Sequence, residues 1–200
     1  MPAGGRPRPL ARRPQLTVPL LDRLRADPEE CVRRSVANHL KDIAHDHPAT
    51  ALHTAHRWIR EGRPHTDAVV RHGLRGLIRK GSLEAFALIG ARPDSPARIT
   101  GLRPTGDPTP AGQPLTFTSD LHLEAQLFDG RLVQHYALTP FVESADGRRL
   151  HFLSQTTPRS PVDRTIRRSH PTTSLRVGTY RLAVLTNGTP QAHTTSAIGG

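Results

Sequence analysis

The chain has 200 residues and a formal net charge of +11; lysine occurs only at Lys41 and Lys80, so nearly all of its 28 basic residues are arginine. That balance favours anionic partners such as nucleic acid, although arginine accompanied by much alanine, proline and glycine also follows from GC-rich coding. One cysteine, Cys31, excludes an internal disulfide and suits a reducing cytoplasm, and no apolar run approaches the roughly 20 residues of a membrane span, so no membrane partner is expected.

Residues 1–15 are basic and proline-rich without an apolar signal core, which predicts a disordered head. Residues 16–91 read as helical. Pro19 to Asp27 predicts a first helix. Asp27 can cap a second, with Pro28 in its first turn, and Val32, Val36, Leu40 and Ile43 then recur on one helical face. A third helix starts near Pro48 and stops at Gly62. Thr66 opens a fourth that carries Val70, Leu74, Leu77 and Ile78 to Gly81, and Ser82 starts a short fifth. The stretch "VRRSVANHL" from Val32 aligns with "VRHGLRGLI" from Val70 at an offset of 38 residues, close to one HEAT-type helix pair. Any two amphipathic helices could align as well as this.

From Arg92 the composition turns to proline and glycine, and residues 92–97 are the expected linker. Residues 98–200 then hold about seven short alternating runs. They are separated by turn signals such as Asp129-Gly130, Asp146-Gly147 and Asn187-Gly188, a pattern that suggests an immunoglobulin-like β-sandwich. The expected fold is therefore α+β in two domains, an α-solenoid of HEAT-like repeats followed by an all-β immunoglobulin-like sandwich.

At about 100° per residue, Arg34, Asn38, Lys41, Asp42 and His45 share one arc of the second helix, opposite its apolar stripe. His72, Arg79 and Lys80, with Arg71 and Arg75 at their flank, occupy the matching arc of the fourth helix, where Gly73 and Gly76 would admit a backbone or ligand. Adjoining polar faces would make a basic strip with an acid set in it. A carboxylate repels phosphates, so Asp42 costs affinity there unless it has a task. The competing reading is an ordinary solvated face with Asp42 paired inside its own helix, and spacing alone is satisfied by that. The histidine pairs His45/His47 and His53/His56 lack a third ligand, so no metal is expected, and no motif asks for a cofactor. Trp58 is either a core residue or a groove wall. Arg164, Arg167, Arg168 and His170 form a dense positive segment that either grips phosphates or is an exposed loop.

The stretches "DPEECVRRSVANHLKDIAHDHP" and "VVRHGLRGLIRKG" resemble the DNA alkylation repair enzymes of the HEAT-like glycosylase superfamily, in the AlkC-type branch. "LVQHYALTPFVESADGRR" and "RTIRRSHPTTSLRVGTYRLAVLTNG" are similar to that branch's C-terminal domain. The likeness runs from about Leu20 to Gly188. It implies a glycosylase that excises cationic, alkylated bases from double-stranded DNA. A cationic base departs neutral and needs no strong general acid, while the oxocarbenium-like sugar is stabilised by a nearby anion that can also orient water. Asp42 is the first candidate for that anion and Asp46 the second. Arg34, Asn38, Lys41, Arg71, His72, Arg75, Arg167 and His170 would contact the DNA, in a cytoplasmic, nucleoid-associated protein.

Two departures qualify the resemblance. Lys41 stands where the family pattern has asparagine. The family also carries several helical repeats ahead of this region, so this chain is expected to be a shortened form, or one that a partner chain completes. The alternatives are a non-catalytic DNA-binding fragment and a helical-repeat interaction scaffold.

Overall fold

The computed structural model describes residues 13–124, 130–140, 150–156, 161–173 and 175–199. Most of the expected basic head, the Asp146-Gly147 turn and Asp129 lie outside the described residues. The chain divides into two compact units, Met1–Ile78 and Arg79–Gly200. This division falls earlier than the expected linker at residues 92–97.

The first unit is helical. Its elements are α1 (Pro14–Leu24), α2 (Glu30–Asp46), α3 (Pro48–Glu61), α4 (Thr66–Gly73) and α5 (Arg75–Arg79), whose last residue begins the second unit. Helix α1 thus begins ahead of the expected Pro19 and takes in Pro14 and Gln15. The cap of α2 is Glu29; Asp27 stands two residues earlier, and its Oδ1 accepts the Glu29 N–H at 2.8 Å. Helix α3 ends as expected at Gly62, which adopts φ 60° and whose N–H donates to both Trp58 O and Ile59 O.

Helix α2 is central and packs on α1, α3 and α4. Its Val36, Leu40, Ile43 and Ala44 are buried with Trp58 of α3 and Val69 and Val70 of α4. Gly73 permits the close approach of α4: a Cβ there would lie 2.6 Å from Leu40 Cδ2. Gly76 has no such neighbour, since a Cβ there would meet nothing within 4 Å.

Among its described residues the second unit combines one helix, α6 (Leu83–Leu88), with eight strands: β1 (Arg98–Thr105), β2 (Thr109–Pro110), β3 (Leu115–Leu123), β4 (Leu132–Pro140), β5 (His151–Thr156), β6 (Val162–His170), β7 (Gly178–Thr186) and β8 (Thr189–Gly199). They form a three-stranded sheet in the order β1-β3-β6 and a five-stranded sheet in the order β2-β8-β7-β4-β5. The core is built from both: Ile99, Phe117 and Leu121 of the first pack with Leu132, Tyr136, Leu182 and Val184 of the second. Strands β7 and β8 join through Asn187-Gly188, both at positive φ (49° and 83°), as a two-residue hairpin requires. Asn187 also reaches back, donating through Nδ2 to Arg92 O at 2.7 Å. Ser82 caps α6 as expected, its Oγ accepting the Ala85 N–H at 3.3 Å. The ring of Phe86 meets the His135 ring edge-on at 5.4 Å.

This architecture corrects the expected fold class. Among the described residues there are six short helices and eight strands in two sheets, a mixed α+β fold, and not a HEAT-like solenoid followed by an immunoglobulin-like sandwich. The 38-residue alignment does not yield equal helices. Its first copy is the 17-residue α2; its second is broken at Leu74 into the 8-residue α4 and the 5-residue α5. Gly73 and Gly76 stand where the first copy has Ser35 and Asn38, and each glycine costs about 1 kcal/mol of helix propensity. On the β side, α6 packs among the strands, and β2 pairs parallel to β8. The basic segment from Arg164 to His170 is a strand, not a loop. Its apolar residues Val162 and Ile166 are four apart, so no period-2 signal marked it.

Candidate nucleic-acid interface

The polar faces of α2 and α4 do adjoin. His72 Nε2 and Asn38 Oδ1 lie 2.9 Å apart and join the two helices. Burial, and then the positive charges of Arg75, Lys41 and Arg34, hold the His72 imidazole below its usual pKa. Its neutral form is therefore favoured, and three of the expected cations act on one ring. Asp42 follows Asn38 by one turn and is half-buried. The strip and its acid therefore coexist on one helix.

The remaining candidates are placed less centrally. Arg34 is exposed and donates to Glu30 Oε1 at 2.7 Å. Arg71 is paired within α4, its Nη1 3.7 Å from Asp67 Oδ2. Asp46 closes α2 and pairs with its neighbour, His45 Nδ1, at 2.7 Å, which suits an anchor of the helix end.

In the second unit the strand period divides the basic segment. Arg167 lies opposite Thr118 and is exposed on one face of the three-stranded sheet. Arg164, Arg168 and His170 share the other face, opposite Leu121, Phe117 and Leu115. His170, expected at a phosphate, is instead buried: its Nδ1 lies 2.8 Å from the Tyr136 hydroxyl. Burial, with His151 and Arg168 beside it, lowers its pKa. The side chain is directed into a ring cluster, with His151 stacked on Tyr136 at 5.0 Å.

Trp58 is a core residue. It is fully buried, its Nε1–H donates to Asp22 Oδ1 at 2.6 Å, and the Arg25 guanidinium lies 5.2 Å over its ring. Arg25 is itself buried and pairs with Glu61, while Arg57 holds both oxygens of Asp22 at 2.7 and 2.9 Å. This network fastens α1 to α3, and nothing in the local sequence pattern announced it.

Sequence reasoning also passed over a groove of about 290 Å³ between α2 and α4, whose lining includes Glu30, Arg33, His65 and His72. The i,i+4 spacing of Glu30 and Arg34 was the available signal for their pair. His65 carried none, because its φ of 64° is a property of the backbone. No helix among the described residues is long and apolar enough to cross a membrane.

Comparison with known proteins places this geometry. The solved structure of the Pseudomonas fluorescens alkylpurine DNA glycosylase AlkC, bound to DNA containing an abasic site analog, superposes with a TM-score of 0.76 at 28% identity. The match covers 96% of this chain and 54% of that one. The chain is thus AlkC-like over nearly its whole length, and it spans about half the length of that structure. An uncharacterized protein, YhaZ of Bacillus subtilis (strain 168), is 40% identical over 77 residues, which is 38% of this chain and 21% of the relative. β-Glucosidase from Listeria innocua aligns with 52% of the chain at a TM-score of 0.39, too low to carry an argument. No protein-family model matches.

Proposed function

We propose that this chain acts in DNA alkylation repair, binding duplex DNA along the α2/α4 face and cleaving the N-glycosidic bond of an alkylated, cationic base. The observation that carries the reading is the Asn38–His72 bond. It holds two polar helix faces together, surrounds them with Arg34, Lys41 and Arg75, and leaves a half-buried carboxylate one turn further along α2. Likeness to an alkylpurine DNA glycosylase in complex with DNA supports it.

In this reading Arg34, Lys41, Arg71 and Arg75 meet backbone phosphates, Asn38 and His72 fix the two helices beneath them, and Arg167 meets the backbone from the second unit, with His170 supporting its strand from inside. Asp42 faces the damaged nucleoside. As the cationic base leaves neutral, positive charge gathers on the sugar. A carboxylate already in place stabilises that charge without reorganising, and it accepts a proton from the attacking water. Asp46, tied to His45, is the second candidate for the role.

The test is release of methylated purines and pyrimidines from methylated duplex by the purified chain and by Asp42→Asn. Release by the native chain that is lost in the variant supports the reading. No release by the native chain removes the enzymatic part, and retained duplex binding would then leave a DNA-binding protein.

A further inference from the structure

We infer that the groove between α2 and α4 is a site for one phosphate group, and that Glu30 occupies it in the free chain. The inference rests on the DNA reading above and adds to it a specific seat and a built-in competitor. The groove is lined by the small apolar residues Ala37, Ala68 and Val69, of which Ala37 and Val69 are buried, and by the basic and imidazole side chains of Arg33, Arg34, His65 and His72. Glu30 is the single acid of the lining.

The position of Glu30 marks where an anion sits. Its carboxylate takes Arg34 Nη2 at 2.7 Å, while both side chains are about 70% exposed, at 72% and 68%. A pair so exposed is weak and readily exchanged. A phosphodiester presents two oxygens to a guanidinium much as a carboxylate does, so it can take over Arg34 as Glu30 swings into solvent. Arg33 is held at the groove, its Nη1 donating to Asp27 O and Pro28 O at 2.7 and 2.6 Å. It contributes a charge that needs no ordering on binding. His65 is held at the groove in a left-handed conformation (φ 64°, ψ 0°). Such conformations are unfavourable for a residue with a Cβ and collect at binding sites. Its ring and that of His72 both line the groove, where ring nitrogens can donate to an anion's oxygens.

The shared chemistry is a phosphate, reached either as a backbone diester of DNA or as free inorganic phosphate. Two arms distinguish them. In the first, anisotropy of a labelled, unmodified duplex is followed against salt. Glu30→Gln is expected to bind about threefold tighter and to steepen the log–log salt slope by about 0.9. His65→Gly is expected to bind about threefold weaker with no loss in Tm, because glycine relieves the positive φ while removing the ring. In the second arm, histidine ring resonances are followed as inorganic phosphate is added; those of His65 and His72 are expected to move, and further in Glu30→Gln.

Native-like duplex affinity and salt slope in both variants, with ring resonances unmoved by phosphate, would overturn the site while leaving the DNA reading intact. Ring shifts with phosphate but no duplex binding by any form would uphold the phosphate site and remove its DNA source, and with it the DNA reading.

Discussion

Two basic stretches look alike as text and behave differently as structure. Arg34 to His45 lies on a helix, and Arg164 to His170 on a strand. On α2 the 3.6-residue period gathers Arg34, Asn38, Lys41 and Asp42 onto one polar face, which meets a matching face through His72. On β6 the two-residue period sends neighbours to opposite faces, so Arg167 reaches solvent while His170 enters a cluster of rings. A run of positive charge therefore indicates an anion-binding surface only after the local period is known. The helix concentrates it; the strand divides it.

The largest effect expected from breaking this contrast is on chemistry. Asp42→Asn should slow base release by about 100-fold or more while leaving duplex affinity unchanged or tighter, and single-turnover assays on methylated duplex read it. Asp46→Asn should fall well short of that loss, since its carboxylate serves His45.

Next comes acid sensitivity, which belongs to the sheets. Burial, then Arg79 and His151, lower His135 from 6.5 to about 4. The unfolded chain thus binds the proton more readily than the folded one. Stability is full above pH 6.5 and is lost as pH falls from 6.5 towards 4, on the order of 3 kcal/mol for this group. Its Nδ1 is buried without a partner, and its ring sits between Phe86 and Phe152. His135→Phe should flatten the dependence of Tm on pH across that window. An unchanged slope would mean that another group governs it.

His170→Ala should cost about 1–2 kcal/mol, because the Tyr136 hydroxyl loses its imidazole partner inside the core and keeps only Arg168. Denaturant melts would show this with duplex affinity preserved. The smallest effects are single phosphate contacts. Arg34→Ala and Arg167→Ala should each weaken binding to all sequences alike and reduce the salt slope by about 1, whereas a sequence-dependent loss would mean that these arginines read bases.

Much of the first unit was legible. The spacing of Val36, Leu40 and Ile43 located α2 and its buried face, and the αL stop at Gly62 followed from glycine's freedom at positive φ. The solenoid was not, because the decisive feature is a contact: Gly73 lies against Leu40, and the helix that should have repeated α2 breaks at the next residue. The sandwich failed for a related reason, since strand order and the parallel β2–β8 pair depend on partners far apart in sequence. For the site, the residue types on the strip could be read from helical spacing. Burial of His170 and the αL turn at His65 could not, because both are set by neighbours rather than by pattern.

The most direct test of the α2/α4 face places both kinds of region in one sample. With histidine rings labelled, an abasic-site duplex is added in sub-stoichiometric steps. The His72 ring resonances are expected to shift first, and the imidazole to take up a proton more readily when bound, because phosphates offset Arg75, Lys41 and Arg34. The His170 resonances should stay in place. A complex in which His72 is unmoved while His170 shifts would contradict the account and move the interface to the sheets.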